Sequence, residues 1–177
     1  TLLAQDLGVP TEGMVATRLV LPSGRYGEAA GAAFFASLET AVRALPGVET
    51  TALVSNPPVS PGRGSGARVH IRGRDEVADG EARPVATAMA VGPDAMQNLG
   101  LRLLRGRMID GGDGPGAPLV VVIDELMARR YWPGTDPLGR EIRFLMSDGP
   151  WHTVVGVVAP VRWDGLDAAN PTFYSAY

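Results

Sequence analysis

The chain has 177 residues, 45% of them hydrophobic and 20% charged, with no cysteine and a formal net charge of -3. That composition fits a folded globular protein of one domain or two small lobes and excludes a disordered chain. It also excludes a disulfide framework and thiol chemistry, and the slightly acidic balance provides no field to attract nucleic acid.

Residues 14–21 read as a strand, with Val15, Leu19 and Leu21 on one face and Arg18 on the other. A helix follows over 27–45, its apolar stripe formed by Phe34, Leu38, Ala41, Val42 and Leu45, and Pro46-Gly47 stops it. Residues 48–54 read as a second strand, giving a β-α-β unit whose strands are expected side by side and parallel. A Pro- and Gly-rich loop spans 56–66, a short strand 67–72, and a charged turn 75–83. Residues 84–91 form the next strand. Pro93 opens a short helix over 94–99 that Gly100 ends, and the apolar segment 101–104 completes a second, looser β-α-β unit.

The Gly-, Pro- and Asp-rich stretch 110–118 is the expected lobe boundary. Beyond it, 119–123 reads as a buried strand and Asp124 as the cap of a helix over 125–131 that Trp132-Pro133-Gly134 ends. Asp136-Pro137-Leu138-Gly139 is a turn. Residues 140–145 and 151–158 read as a hairpin, and 172–177 as a final strand. The pattern is α+β.

No stretch reaches the roughly 20 apolar residues of a membrane span, and no leader peptide is visible. The chain begins at Thr1 without Met and reads as a piece of a longer one. All sixteen basic residues are arginine, which together with the abundant Gly, Ala and Pro reads as coding bias.

Catalytic and cofactor motifs are missing or misplaced. His70 and His152 each stand alone in an expected strand, without metal-ligand spacing. Gly62-Arg63-Gly64-Ser65-Gly66-Ala67 has the dinucleotide pattern, but precedes a strand rather than a helix. Gly111-Gly112-Asp113-Gly114 resembles a single calcium-binding repeat that lacks its closing acid. Asp124-Glu125 falls at a helix start, where the macrodipole accounts for it. There is no G-x-S-x-G elbow, and no phosphate loop is possible without lysine. No cofactor, metal or catalytic set is expected. Tyr131, Trp132, Trp151 and Trp163 read as core packing.

Several segments, in order, resemble the periplasmic core domain of MacB-type ABC-transporter permeases. They are Arg18-Leu19-Val20-Leu21-Pro22 with Arg25-Tyr26; Val42-Arg43-Ala44-Leu45-Pro46-Gly47; Leu53-Val54-Ser55-Asn56; Asn98-Leu99-Gly100-Leu101 with Leu104-Arg105-Gly106-Arg107; Val121 to Pro133; Asp136 to Arg140; and Val154 to Val158. The most specific is Arg129-Arg130-Tyr131-Trp132-Pro133-Gly134 followed by Asp136-Pro137-Leu138-Gly139. One departure is Met96, near which the family usually carries an aromatic.

The resemblance implies two lobes: a membrane-proximal lead-in at 1–13, a porter-like lobe of β-α-β units at 14–109, and a smaller mixed lobe at 110–177 whose last strand returns to the first. It implies a periplasmic, extracytoplasmic location between the first and second membrane helices of a bacterial inner-membrane permease. The domain would then be no enzyme, but would couple ATP-driven motion to events outside the membrane. The implied partners are an ABC ATPase, with a second permease protomer or a periplasmic adaptor also in view. The candidate contacts are the two exposed loops, at Asn56, Pro57, Pro58, Arg63 and Ser65, and at Asp110, Asp113 and Pro115; plain linkers are the other reading of both. Two further functions stay open: a periplasmic sensor of small molecules or lipids, which calls for a deep apolar pocket, and a hydrolase, which calls for a carboxylate or Ser-His pair in a cleft.

Overall fold

The structure is a computed structural model that describes residues 9, 12–22, 27–55, 66–74, 84–114, 116–144, 149–162 and 170–177. Its elements are α1 (Glu28–Arg43), β1 (Gly66–Ile71), β2 (Val85–Val91), α2 (Ala95–Asn98), β3 (Leu103–Gly106), β4 (Val120–Asp124), α3 (Glu125–Tyr131), β5 (Glu141–Phe144), β6 (His152–Val158) and β7 (Thr172–Ala176). This is the mixed α and β content read from the sequence.

The strands form one sheet in the order β3-β6-β4-β7-β2-β1-β5, and β5 also pairs with β6. That last pairing, Glu141 with Thr153 and Ile142 with His152, closes six strands into a ring with β3 alongside β6. The pairs β2–β7 and β4–β6 are parallel; the others are antiparallel.

Strand alternation builds two cores, one on each side of the sheet. Val69, Ile71, Ala86, Val121, Ile123, Ile142, Val154, Val157 and Phe173 come from all six ring strands and form the inner core, with Met127, Tyr131 and Trp132 of the α3 region packed on it. Met89, Val91, Val120, Val122, Val158 and Tyr174 form the outer core with Met96, Leu99 and Ile109. Neighbours Phe173 and Tyr174 serve opposite cores. So do Val122 and Ile123, which is why β4 is buried along its whole length. Val154 and Val157 are three residues apart yet share the inner face, because a register shift between Val121 and Val122 inserts an extra residue in β6. Each such fully buried side chain contributes about 1.5–3 kcal/mol.

Gly106 and Gly156 let β3 meet β6. Gly106 has φ 72°, and a Cβ there would lie 2.1 Å from the Val155 carbonyl oxygen; one on Gly156 would lie 1.9 Å from the Arg107 carbonyl oxygen.

Several expectations are corrected. Residues 14–21 form no strand among the described residues, with Val15 94% and Val20 77% exposed. The expected strand at 48–54 makes a single antiparallel bridge, Val54 with Val91, supported by the Gly92 N–H to Leu53 carbonyl bond. Helix α1 forms, but no parallel pair flanks it. Its Phe34, Leu38 and Val42 are half-buried, whereas Ala41 and Leu45 are exposed. On that edge of β2, β1 covers Val85 to Thr87, and the 53–55 segment meets only the far end, through the Val54–Val91 bridge and the Ser55 N–H to Ala90 carbonyl bond. The second expected unit also differs, since β3 pairs with β6 rather than β2. A parallel pair with a helix in its connection does occur later, in β4, α3 and β6.

The stretch 110–118 does not divide two sheets among the described residues, because strands from both sides of it share the ring. The final strand lies between β2 and β4. The hairpin pairing of β5 with β6 is present, though β5 pairs over a longer stretch with β1.

Candidate partner-contact surfaces

Of the candidate loop residues, Asp110 and Asp113 are described; Asn56, Pro57, Pro58, Arg63, Ser65 and Pro115 lie outside the described residues. The Asp113 carboxylate accepts two bonds from the Arg107 guanidinium, at 2.6 and 2.7 Å, and a third from the Asp110 N–H at 3.1 Å. Asp110 in turn accepts from the Gly112 N–H at 2.8 Å. The bond from Arg107 holds the Asp113 carboxyl below the ordinary carboxylate range, and the same bond raises the guanidinium. Asp113, its side chain 6% exposed, is therefore an internal staple of the loop, while Asp110 faces outward. With both carboxylates engaged in this way, the calcium-like spacing has a structural explanation.

The most family-specific segment is also structural. Helix α3 starts at Asp124, whose Oδ1 accepts from the Met127 N–H at 2.7 Å, as an N-cap should. At its other end the Tyr131 hydroxyl donates to the Val85 carbonyl at 2.9 Å and accepts from the Val85 N–H at 3.1 Å. The Tyr131 carbonyl accepts from Arg74, and Trp132 is buried in the inner core. Next to it, the Leu138 N–H donates to Asp136 at 3.2 Å, forming the expected turn. Two open depressions flank this corner, one beside Arg105, Glu125 and Arg129, the other beside Arg72, Arg74 and Arg140. Both are shallow and half polar, unlike the deep apolar pocket a lipid sensor calls for.

The two histidines are not brought together. His70 stands opposite Arg143 and His152 opposite Ile142 on β5. Consecutive strand residues point to opposite faces, so the two rings do too. His152 stacks on Phe144 at 4.5 Å, and burial lowers its pKa. Among the described residues, no group of three or more His, Asp and Glu could hold a metal. Asp124 is the buried titratable group that sequence reading read only as a cap. Burial pushes its carboxyl up to about 7, against the opposing bond from the Met127 N–H, and its Oδ2 has no hydrogen-bond partner. The signal was a carboxylate at the end of an apolar strand.

Compared with known families, residues 10–175 match the model of the MacB-like periplasmic core domain. The chain belongs to this family. A MacB-like periplasmic core domain is extracytoplasmic, and among the described residues no helix is long and apolar enough to cross a membrane. No curated protein matches the sequence. Among solved structures, this MacB-like domain resembles the periplasmic region of MacB from Actinobacillus actinomycetemcomitans, with TM-score 0.54, 19% identity, and coverage of 80% of this chain and 54% of that one. It resembles the extracellular domain of the noncanonic ABC-type transporter YknZ from Gram-positive bacteria, with TM-score 0.50, 17% identity, and coverage of 78% and 59%. It also resembles a domain of a permease protein from Porphyromonas gingivalis, with TM-score 0.51, 17% identity, and coverage of 77% and 54%. The chain therefore spans little more than half of each of these three solved chains.

Proposed function

We propose that this domain is the extracytoplasmic part of an ABC-transporter permease and is not itself an enzyme. In this reading it couples ATP-driven motion in the cytoplasm to substrate or partner handling outside the membrane. The observation that carries the reading is the family match over residues 10–175, nearly the whole chain. The likeness to MacB and YknZ domains agrees with it. An ABC ATPase would act through the parent's membrane helices, and a second protomer or a periplasmic adaptor would meet the domain at the segments that carry Asn56, Arg63 and Asp110. The two-lobe organisation belongs to the same proposal. It is supported by α1, which is no part of the sheet's ladders and is tied to the 48–54 segment through Glu39, Arg43 and Thr51.

The chain has no cysteine, so introduced cysteines are unique labels within it. Spin labels at L45C and L119C, both exposed positions, in the full-length parent reconstituted with its ATPase should report a changed distance between protomers when ATP replaces ADP. Identical distances in both nucleotide states would overturn the coupling. Cytoplasmic labelling of the same cysteines in intact cells would overturn the location.

A further inference from the structure

We propose that the outer face of β1 and β5 is a docking surface for an extended, acidic polypeptide segment of a partner protein. Arg68, His70 and Arg72 recur at every second residue, so their side chains leave the same face of the sheet. Burial agrees: Val69 and Ile71 between them are buried in the inner core, whereas Arg68 and Arg72 are exposed. Across the ladder, His70 stands opposite Arg143. Trp151 lies between two guanidiniums, Arg72 at 4.9 Å and Arg143 at 4.7 Å from its ring. The cation–π contacts with the indole restrain both guanidiniums, and a restrained fork suits a planar carboxylate.

The cationic line continues past Gly73 into the open depression beside Arg74 and Arg140. Among the described residues of these two strands, Glu141 is the one carboxylate, and Arg72 pairs with it. This concentration of arginine is local, since the whole chain carries -3. Its layout selects the ligand. Cations on alternate strand residues are spaced about 7 Å apart, which is the repeat of alternate carboxylates on an extended chain. An open row of charges suits such a segment, whereas a compact headgroup needs a closed pocket. The inference rests on the chemistry of this face and not on the transport reading, so either can fail alone.

The test is fluorescence anisotropy of the 177-residue chain with a labelled peptide of alternating Glu and Ser. Binding is expected, with loss at high salt and none to the matching Gln–Ser peptide. R68Q, a change at an exposed side chain, should weaken binding about threefold, and R68Q/R72Q/R143Q by about tenfold or more. R18Q, outside this face, should bind as the parent chain does. Thermal melting shows whether each variant is folded, and R68Q alone keeps the test decisive if the triple variant is not. Equal binding of the Gln–Ser peptide, or binding unchanged in R68Q and in a folded triple variant, overturns the proposal. So does the absence of binding, as would follow if the chain's own Asp75, Glu76, Asp79 and Glu81 neutralise the face. Binding to phosphatidylglycerol vesicles but not to the peptide overturns it in favour of a lipid surface.

Discussion

The side chain of Tyr131 completes the hydrogen bonding of a single backbone residue, Val85, by donating to its carbonyl and accepting from its N–H. It thereby ties the end of α3 to the start of β2, 46 residues away in sequence. Removing only the hydroxyl leaves both Val85 groups short of a partner. Y131F should therefore cost about 1–2 kcal/mol of stability, read as a lower urea midpoint with an unchanged slope. Y131A should cost more, about 3–5 kcal/mol, because it also empties part of the inner core.

Gly106 and Gly156 are partners in the β3–β6 ladder, and neither has room for a side chain. G156A forces a methyl into the Arg107 carbonyl. G106A forces one into the Val155 carbonyl and adds a left-handed backbone. Each should destabilise the fold by about 2 kcal/mol or more. Gly134 is the control: its φ is 71° but nothing lies within 4 Å of a Cβ there, so G134A should cost only about 1 kcal/mol. Thermal melts of the three variants separate crowding from backbone strain.

Asp124 and Asp113 should give opposite pH slopes. The Asp124 carboxyl is raised from 3.8 to about 7 in the folded chain by burial. Below 3.8 it is protonated whether folded or unfolded and imposes no penalty. As pH rises towards 7, the unfolded chain sheds the proton while the folded chain keeps it, so stability falls; above that the penalty is constant. D124N keeps a capping side chain and removes the penalty. Its stability relative to the parent should climb between about pH 4 and about pH 8, by up to about 4 kcal/mol. Urea titrations across that range check it, and a flat difference would refute the buried-acid assignment.

Asp113 is lowered by Arg107. Its contribution is present above the ordinary carboxylate range and is lost as pH falls through that range and below. Because the Arg107 side chain is 47% exposed, solvent screening limits the pair to about 1 kcal/mol. D113N and R107Q should each speed amide exchange in the 107–114 segment, and the double variant should add little to either.

Local features were legible in the sequence. The α3 helix, its Asp124 cap and the following turn depend on residues within a few positions of one another, and they stand where residue type and spacing put them. The apolar run 119–123 likewise announced a buried strand, because a strand covered on both faces needs no polar alternation. Apart from the β5–β6 hairpin, pairing was not legible. Val15, Leu19 and Leu21 have the periodicity of a strand, but periodicity specifies a face and not a neighbour. The ring depends on β5 meeting β6 and β1 together, a contact far apart in sequence. At the candidate site, Asp113 read as an outward loop carboxylate because nothing in the loop itself shows that Arg107, six residues earlier, reaches back to it.

The closure of the sheet bears on how a force would travel through the domain. With β6 held by β4 on one side and by β5 and β3 on the other, no seam remains along which the ring could unzip. Inner-core side chains from every strand of the ring resist shear between them. A load applied at Tyr177, next to β7, would thus be shared by the ladders on both sides of that strand. A closed ring spreads such a load more evenly than a sheet with two free edges would.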